Sequence, residues 1–176
     1  MKFLKQKIDG VYLIQHKSHK DKRGVFSRVY CKKIIKKFNL NTVQTNISYN
    51  SKKNTLRGFH YQISKSSEHK IVTCVTGQIF DIVVDLRRKS KTYKQWVSFN
   101  LDSKNLKSII IPKGCANCFL TLADNSIIFY HTSNYYNFKD ERGLRYNDPA
   151  FKFKWPQKIK IISKKDKNFP LFKKSL

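Results

Sequence analysis

The stretch Thr55–Gln62, TLRGFHYQ, puts an arginine, a glycine and a histidine into one short β-like run. Histidine exchanges protons near neutral pH. Arginine is a rigid fork of donors that matches phosphate. A glycine inside a strand marks a bulge or a place where another group approaches the backbone closely. Arg57, Gly58 and His60 are therefore read as one wall of an active site. The plainer reading is an edge strand with an exposed Arg57 and a core His60.

Three further residues would complete a proton-transfer set. A neutral His60 imidazole could remove a proton from a carbon beside a ketone, and the Lys70 ammonium could stabilise the resulting enolate oxygen. A buried carboxylate, Asp166, could fix the imidazole tautomer and raise its basicity. A phenol on the opposite face, Tyr130, could return the proton and so invert the carbon. Taken singly, Tyr130 also fits a core position, Lys70 the surface, and Asp166 a tail charge among lysines.

The elements that must position this set read as β-strands. Gly10–Gln15, Val25–Tyr30, Val43–Tyr49, Thr55–Gln62, Lys70–Thr76, Gln78–Leu86, Trp96–Leu101, Ser108–Pro112, Cys118–Leu122 and Ser126–Thr132 carry apolar, β-branched or aromatic residues between turn signals. One short helix is expected over Lys32–Phe38, and polar loops over His16–Lys22 and Ile63–His69. In Gln78–Leu86, Phe80, Ile82, Val84 and Leu86 share one face, which is expected to pack on another sheet. The other face carries Asp81 and Asp85 among apolar residues, as a pocket lining would. This spacing fits a β-sandwich or jelly roll rather than alternating βα units. From Asn137 onward the chain is loop-rich, with a tail anchored by Trp155 and Phe169.

With 176 residues, the chain is read as one domain, 1–176, with a core of about 9–170. Its net charge of +26 attracts anions: nucleic acid, anionic membrane or a phosphorylated small molecule. A nucleic-acid-binding β-domain is motivated by charge alone, because no basic helix or aromatic RNA-binding signature accompanies it. No apolar run approaches the ~20 residues of a membrane helix, and the start MKFLKQKIDG has no signal-peptide core. A soluble, cytoplasmic protein follows, with Cys31, Cys74, Cys115 and Cys118 as free thiols. Cys115 and Cys118 form a CxxC without a second pair, so buried thiols are favoured over a metal or redox site.

The motifs DKRGVF (Asp21–Phe26), QTNISYNSKKNTLRGFHYQ (Gln44–Gln62), KIVTCVTGQIFDIVVDLR (Lys70–Arg87), IIPKGCANCFLTL (Ile110–Leu122), YHTSNYY (Tyr130–Tyr136), YNDP (Tyr146–Pro149) and SKKD ending at Asp166 occur in order. In this order and spacing the chain resembles the dTDP-4-dehydrorhamnose 3,5-epimerase family of nucleotide-sugar epimerases. The resemblance implies an all-β double-stranded β-helix jelly roll of the cupin type, with short helices and a C-terminal tail packed on the body. It implies a homodimer, no metal and no other cofactor. The chain agrees on the metal, since a metal cupin usually needs a His-x-His pair and here the residues are His60-Tyr61-Gln62. By match of motif, His60 is the base, Asp166 its partner, Lys70 the enolate-stabilising lysine and Tyr130 the opposite acid. Arg23, Phe26, Gln44, Asn46 and Arg57 fall on nucleotide- and diphosphate-binding positions, and Tyr136 on a tyrosine near the nucleotide.

Three departures bear on the substrate. Asn117 stands where the family usually has a sugar-pocket histidine. Arg28 stands where an acidic residue often helps hold thymine, which opens the site to another base. The loop Ser64–His69 is short and polar. The expected substrate is a nucleotide-diphospho-4-keto-6-deoxy sugar, inverted at C3 and C5. Inversion at C3 alone, a GDP-linked heptose, a ketoisomerase and a binding module without catalysis are the alternatives.

Overall fold

The computed structural model describes residues 1–38 and 40–172. Strands β1 (Lys2–Lys5) and β2 (Tyr12–Gln15) form an N-terminal hairpin, and β3 (Ser18–Asp21) and β4 (Gly24–Ser27) a second, separate one. A single helical turn, α1 (Lys32–Ile35), runs on into a 3-10 turn at Lys36–Phe38. The body follows as β5 (Gln44–Asn50), β6 (Thr55–Gln62), β7 (Lys70–Thr76), β8 (Gln78–Asp85), β9 (Trp96–Asp102), β10 (Lys107–Ile111), β11 (Cys115–Thr121) and β12 (Ser126–Thr132). The C-terminal segment adds β13 (Glu141–Gly143), β14 (Ile161–Ile162) and the short helix α2 (Lys164–Lys167). One sheet has the order β1-β2-β10-β7-β12-β5, the other β13-β6-β11-β8-β9, with β14 parallel to β6. The two sheets face each other as a cupin-type jelly roll.

The core between the sheets joins Val72, Cys74, Ile109 and Ile128 of one sheet to Ile79, Val83, Leu101 and Phe119 of the other. The outer face of the β6 sheet carries Leu56, Phe59, Ile82, Val84 and Leu120, covered by Leu144, Phe151, Phe153 and Trp155 of the C-terminal segment. Ile35 and Leu40 cover Ile14, Ile71 and Ile110 on the back of the other sheet. Fully burying each large aliphatic or aromatic side chain is worth about 1.5–3 kcal/mol, so the tail is integral to the fold.

Two expectations about faces are corrected. The wholly apolar face of β8 packs under the C-terminal tail, not on the opposite sheet. The carboxylate-bearing face is the one turned inward. There Asp81 is fully buried, and Asp85 accepts hydrogen bonds from Arg87, Ser90 and Thr92. Alternation gives two faces but not which one a long tail will cover. His16–Lys22, expected as a loop, contains β3, an exposed strand whose polar residues carry no burial signal. Ile63–His69 holds a 3-10 turn with Ser66 and Glu68 buried.

Cys115 and Cys118 point to opposite faces of β11, one into each core, and both are free. Burial pushes both thiols up, Cys115 to about 12. Among the described residues no helix is long and apolar enough to cross a membrane.

Strand β6 carries the bulge that Gly58 signals. His60 pairs with Asn117 and Gly58 with Cys118, so Phe59 is an extra residue with no partner on β11. Phe59 turns outward into the tail-covered core. Arg57 and His60, which strict alternation would separate, then share the inner face. Gly58 has φ +112°, and a Cβ there would lie 2.6 Å from the Asn117 carbonyl oxygen and 2.9 Å from the Cys118 Cα. Gly58→Ala is therefore expected to cost about 2–4 kcal/mol of stability, measured by chemical denaturation. A variant within about 0.5 kcal/mol of the parent would contradict the close approach.

Candidate active site

A cavity of about 710 Å³ opens between the sheets, within the range of small-molecule sites. Strand β6 contributes Arg57 and His60 to one wall, and β11 contributes Asn117 and Phe119. From the opposite sheet come Gln44 and Asn46 on β5, Lys70 and Val72 on β7, and Tyr130 on β12. His60 and Tyr130 thus enter one space from facing sheets. Tyr136 and Glu141 line the same space, and the Tyr136 hydroxyl donates to Glu141 Oε2 at 2.7 Å.

His60 is fixed from behind. Its Nε2–H donates to Asp166 Oδ1 at 2.8 Å, which leaves Nδ1 with the free lone pair. Asp166 Oδ2 accepts the Gly58 N–H at 3.0 Å, and Ser163 Oγ caps the Asp166 backbone N–H. Burial alone would raise the Asp166 carboxyl. The His60 hydrogen bond and charge, the Gly58 amide and Ser163 outweigh it, and hold the carboxyl below the ordinary aspartate range. The Phe169 ring sits at 75° to His60, with centroids 5.8 Å apart.

Lys70 reaches across the floor. Its ammonium donates to the His60 carbonyl at 3.2 Å and to Asn117 Oδ1 at 3.1 Å, and lies 3.4 Å from Glu68 Oε1. Asn117 Nδ2 in turn donates to Asp81 Oδ2 at 3.3 Å. Burial pushes the Asp81 carboxyl well above its ordinary range, against the Asn117 hydrogen bond and the Lys70 charge. Burial also raises the Tyr130 phenol; Arg57 pulls it back in part, while Glu68 and Glu141 push it further up. Tyr130 is therefore protonated at neutral pH, as a proton donor must be.

Of the residues singled out from sequence, His60, Lys70, Tyr130, Gln44, Asn46, Arg57, Asn117 and Tyr136 line the cavity, and Asp166 holds His60 from behind. Arg23, Phe26 and Arg28 do not line it. They lie on or just after the exposed β3–β4 hairpin, where Arg23 pairs with Asp21 and Phe26 is 68% exposed. Sequence reasoning missed Glu68, Gln62 and Glu141. Glu68 stands two residues before Lys70, a spacing that in an extended chain puts both on one side. Glu141 sits in a three-residue strand with no local signal.

The lowered Asp166 carboxyl stabilises the fold above the ordinary aspartate value, about pH 3.9, and loses that contribution as pH falls through the lower folded-state value. Asp166→Asn is thus expected to be less stable than the parent by about 1–3 kcal/mol at pH 7, with the gap narrowing below pH about 4. Denaturant melts at the two pH values check this, and an equal gap at both would contradict the charged pair.

The profile of the dTDP-4-dehydrorhamnose 3,5-epimerase family matches residues 5–174. The dTDP-4-dehydrorhamnose 3,5-epimerase of Shigella flexneri is 35% identical over 171 residues, covering 96% of this chain and 94% of the relative. Among solved structures, that of dTDP-4-dehydrorhamnose 3,5-epimerase from Bacillus anthracis, with TDP and PPi bound, matches with a TM-score of 0.93 at 32% identity, covering 97% of this chain and 99% of that one. The dTDP-6-deoxy-D-glucose-3,5-epimerase of Legionella pneumophila, in complex with dTDP-4-keto-L-rhamnose, matches with a TM-score of 0.91 at 33% identity, covering 97% and 92%. A match along nearly the whole chain, in sequence and in fold, is decisive: the chain belongs to the dTDP-4-dehydrorhamnose 3,5-epimerase family.

Proposed function

We propose that this chain inverts C3 and C5 of a dTDP-linked 4-keto-6-deoxy hexose by proton transfer through an enolate, with no cofactor. The observation that carries the reading is His60 and Tyr130 facing each other from opposite sheets across one cavity. His60 Nδ1 takes the proton from the carbon beside the ketone. The imidazolium that forms is stabilised by the Asp166 carboxylate. The enolate oxygen is met by the Lys70 ammonium, which stands beside both His60 and Asn117. Tyr130 delivers a proton to the opposite face, and the centre is inverted. Arg57 is exposed at the cavity wall; its Nε donates to Asn50 Oδ1, and the terminal NH2 groups of the guanidinium would meet a phosphate. The nucleotide-diphosphate sugar is the partner; nucleic acid and membrane are not.

Inversion at C3 alone is the second reading, and Asn117 favours it. Its carbonyl is committed to Lys70 and its amide to Asp81, so it adds no proton-carrying group to the sugar side.

The working unit in this proposal is a cytoplasmic homodimer. Arg23, Phe26 and Arg28 stand clear of their own cavity on the β3–β4 hairpin and the residue after it, with Val25 and Phe26 56% and 68% exposed. The edge strand β5 leaves Ile47 and Tyr49 uncovered beside the cavity. A second copy seated on that edge would cover the apolar residues and bring its hairpin to the nucleotide end of the site.

His60→Asn is expected to abolish solvent-deuterium incorporation beside the ketone while the fold survives, a loss of about 10²–10⁴ in rate. Tyr130→Phe should keep exchange and lose the inverted product. Mass spectrometry of dTDP-4-keto-6-deoxyglucose in deuterated water reads both, and unchanged exchange in His60→Asn would remove it as the base. For the homodimer, Arg23→Ala and His60→Asn are each expected to be impaired, and mixing them should restore one intact site per mixed dimer. Mixtures no more active than the separate variants would contradict a hairpin shared between copies.

A further inference from the structure

Glu68 is a buried carboxylate that the proton-transfer scheme does not use. It lies just before β7, packed against Lys70, with side-chain exposures of 5% and 13% for the pair. Its Oε2 accepts from Gln62 Nε2 at 2.8 Å, which fixes the carboxylate from the far side.

An ammonium has three N–H donors; two of Lys70's are hydrogen-bonded here, and a carboxylate stands beside it as an ion-pair partner. Two of those partners belong to the wall. The His60 carbonyl is part of β6, and Asn117 Oδ1 is held in place because the same amide donates to Asp81. Glu68 is held to the ammonium by charge alone, and at 3.4 Å it is the longest of the three contacts. A ketone oxygen approaching the ammonium competes with these partners, and the Glu68 contact, which is an ion pair without a hydrogen bond, is the one most readily given up. We infer that Glu68 is the counter-ion which Lys70 exchanges for the substrate's ketone oxygen, and that it sets how strongly Lys70 stabilises the enolate.

This makes Glu68 a positioning residue acting through Lys70, and the inference rests on reading Lys70 as the enolate's partner. In the empty site the carboxylate holds the ammonium aimed into the cavity. In the occupied site it remains a negative charge close to a second, developing one, so it opposes the enolate. Asp81 stands further back, with Asn117 between it and Lys70, and burial pushes its carboxyl well above the ordinary aspartate range. The two carboxyls nearest Lys70 thus act differently: Asp81 orients Asn117, and Glu68 competes with the substrate.

Glu68→Gln keeps the shape and an acceptor for Gln62 while removing the charge. Its kcat for solvent-deuterium exchange into dTDP-4-keto-6-deoxyglucose is expected to rise about threefold or more, with the Kd for dTDP, which has no ketone, unchanged. Glu68→Asp, which withdraws the charge by one methylene, should move kcat the same way by less and serves if the Gln variant does not fold. Unchanged or slower exchange in a folded variant would overturn the inference. So would an equal gain in dTDP affinity, which would mean a general attraction for anions. Lys70→Met separates the two layers. If it exchanges at the parent's rate, the reading of Lys70 itself falls. If it is slow while Glu68→Gln is flat, only the counter-ion exchange falls.

Discussion

One carboxylate joins the end of the chain to its centre. Asp166 accepts from the His60 ring with one oxygen and from the Gly58 amide with the other. Both donors lie on β6, more than a hundred positions earlier in the sequence. The amide bond secures the bulge that brings Arg57 and His60 to the same face, and the ring bond chooses which imidazole nitrogen faces the cavity. The tail that delivers Asp166 also roofs the outer apolar face of the β6 sheet through Phe153 and Trp155. Phe169 packs so closely on Gly143 that any side chain there would meet its ring. The tail that covers this sheet therefore also positions the His60 ring.

The electrostatics of the cavity follow from how little of the chain's charge enters it. The chain has 37 basic residues; among the described residues, Arg57 and Lys70 are the ones that line the space. The remaining surplus is a solvated surface that can draw an anionic ligand inward without taking part in the chemistry. Within the cavity, environment separates the titrating groups. Asp166 is held low by its hydrogen bonds, while Tyr130 and Asp81 are pushed up by burial. A charged carboxylate behind His60 and a neutral phenol opposite it are the two states that the proposed base-and-acid pair needs.

Much of this was legible in the sequence, because the signals were local. β6, β7 and β12 lie at the bounds read from their apolar patterns. Gly58 in mid-strand announced the bulge. His60, Lys70, Tyr130 and Asp166 were singled out by residue type and family resemblance, and they come together with the first three on one cavity and Asp166 behind His60. What escaped depends on contacts distant in sequence. The inner face of β8 was mistaken because the tail, not a sheet, covers its apolar side. The polar strand β3 has no burial pattern to betray it. Glu68 lies in the stretch read as a polar loop, and its surroundings are set by Gln62 and Lys70, which no local pattern brings to it. The motif match named Arg23 and Phe26 as ligand residues, yet only coordinates could reveal that they stand outside their own chain's cavity.

The central claim is that a sugar ring lies between an imidazole on one sheet and a phenol on the other. A crystal structure of the protein with dTDP-4-keto-6-deoxyglucose or its product tests this most directly. The account expects His60 Nδ1 against one face of the ring, the Tyr130 hydroxyl against the other, and the C4 oxygen on Lys70. A ring bound with both side chains on the same face, or outside the space they share, would contradict it.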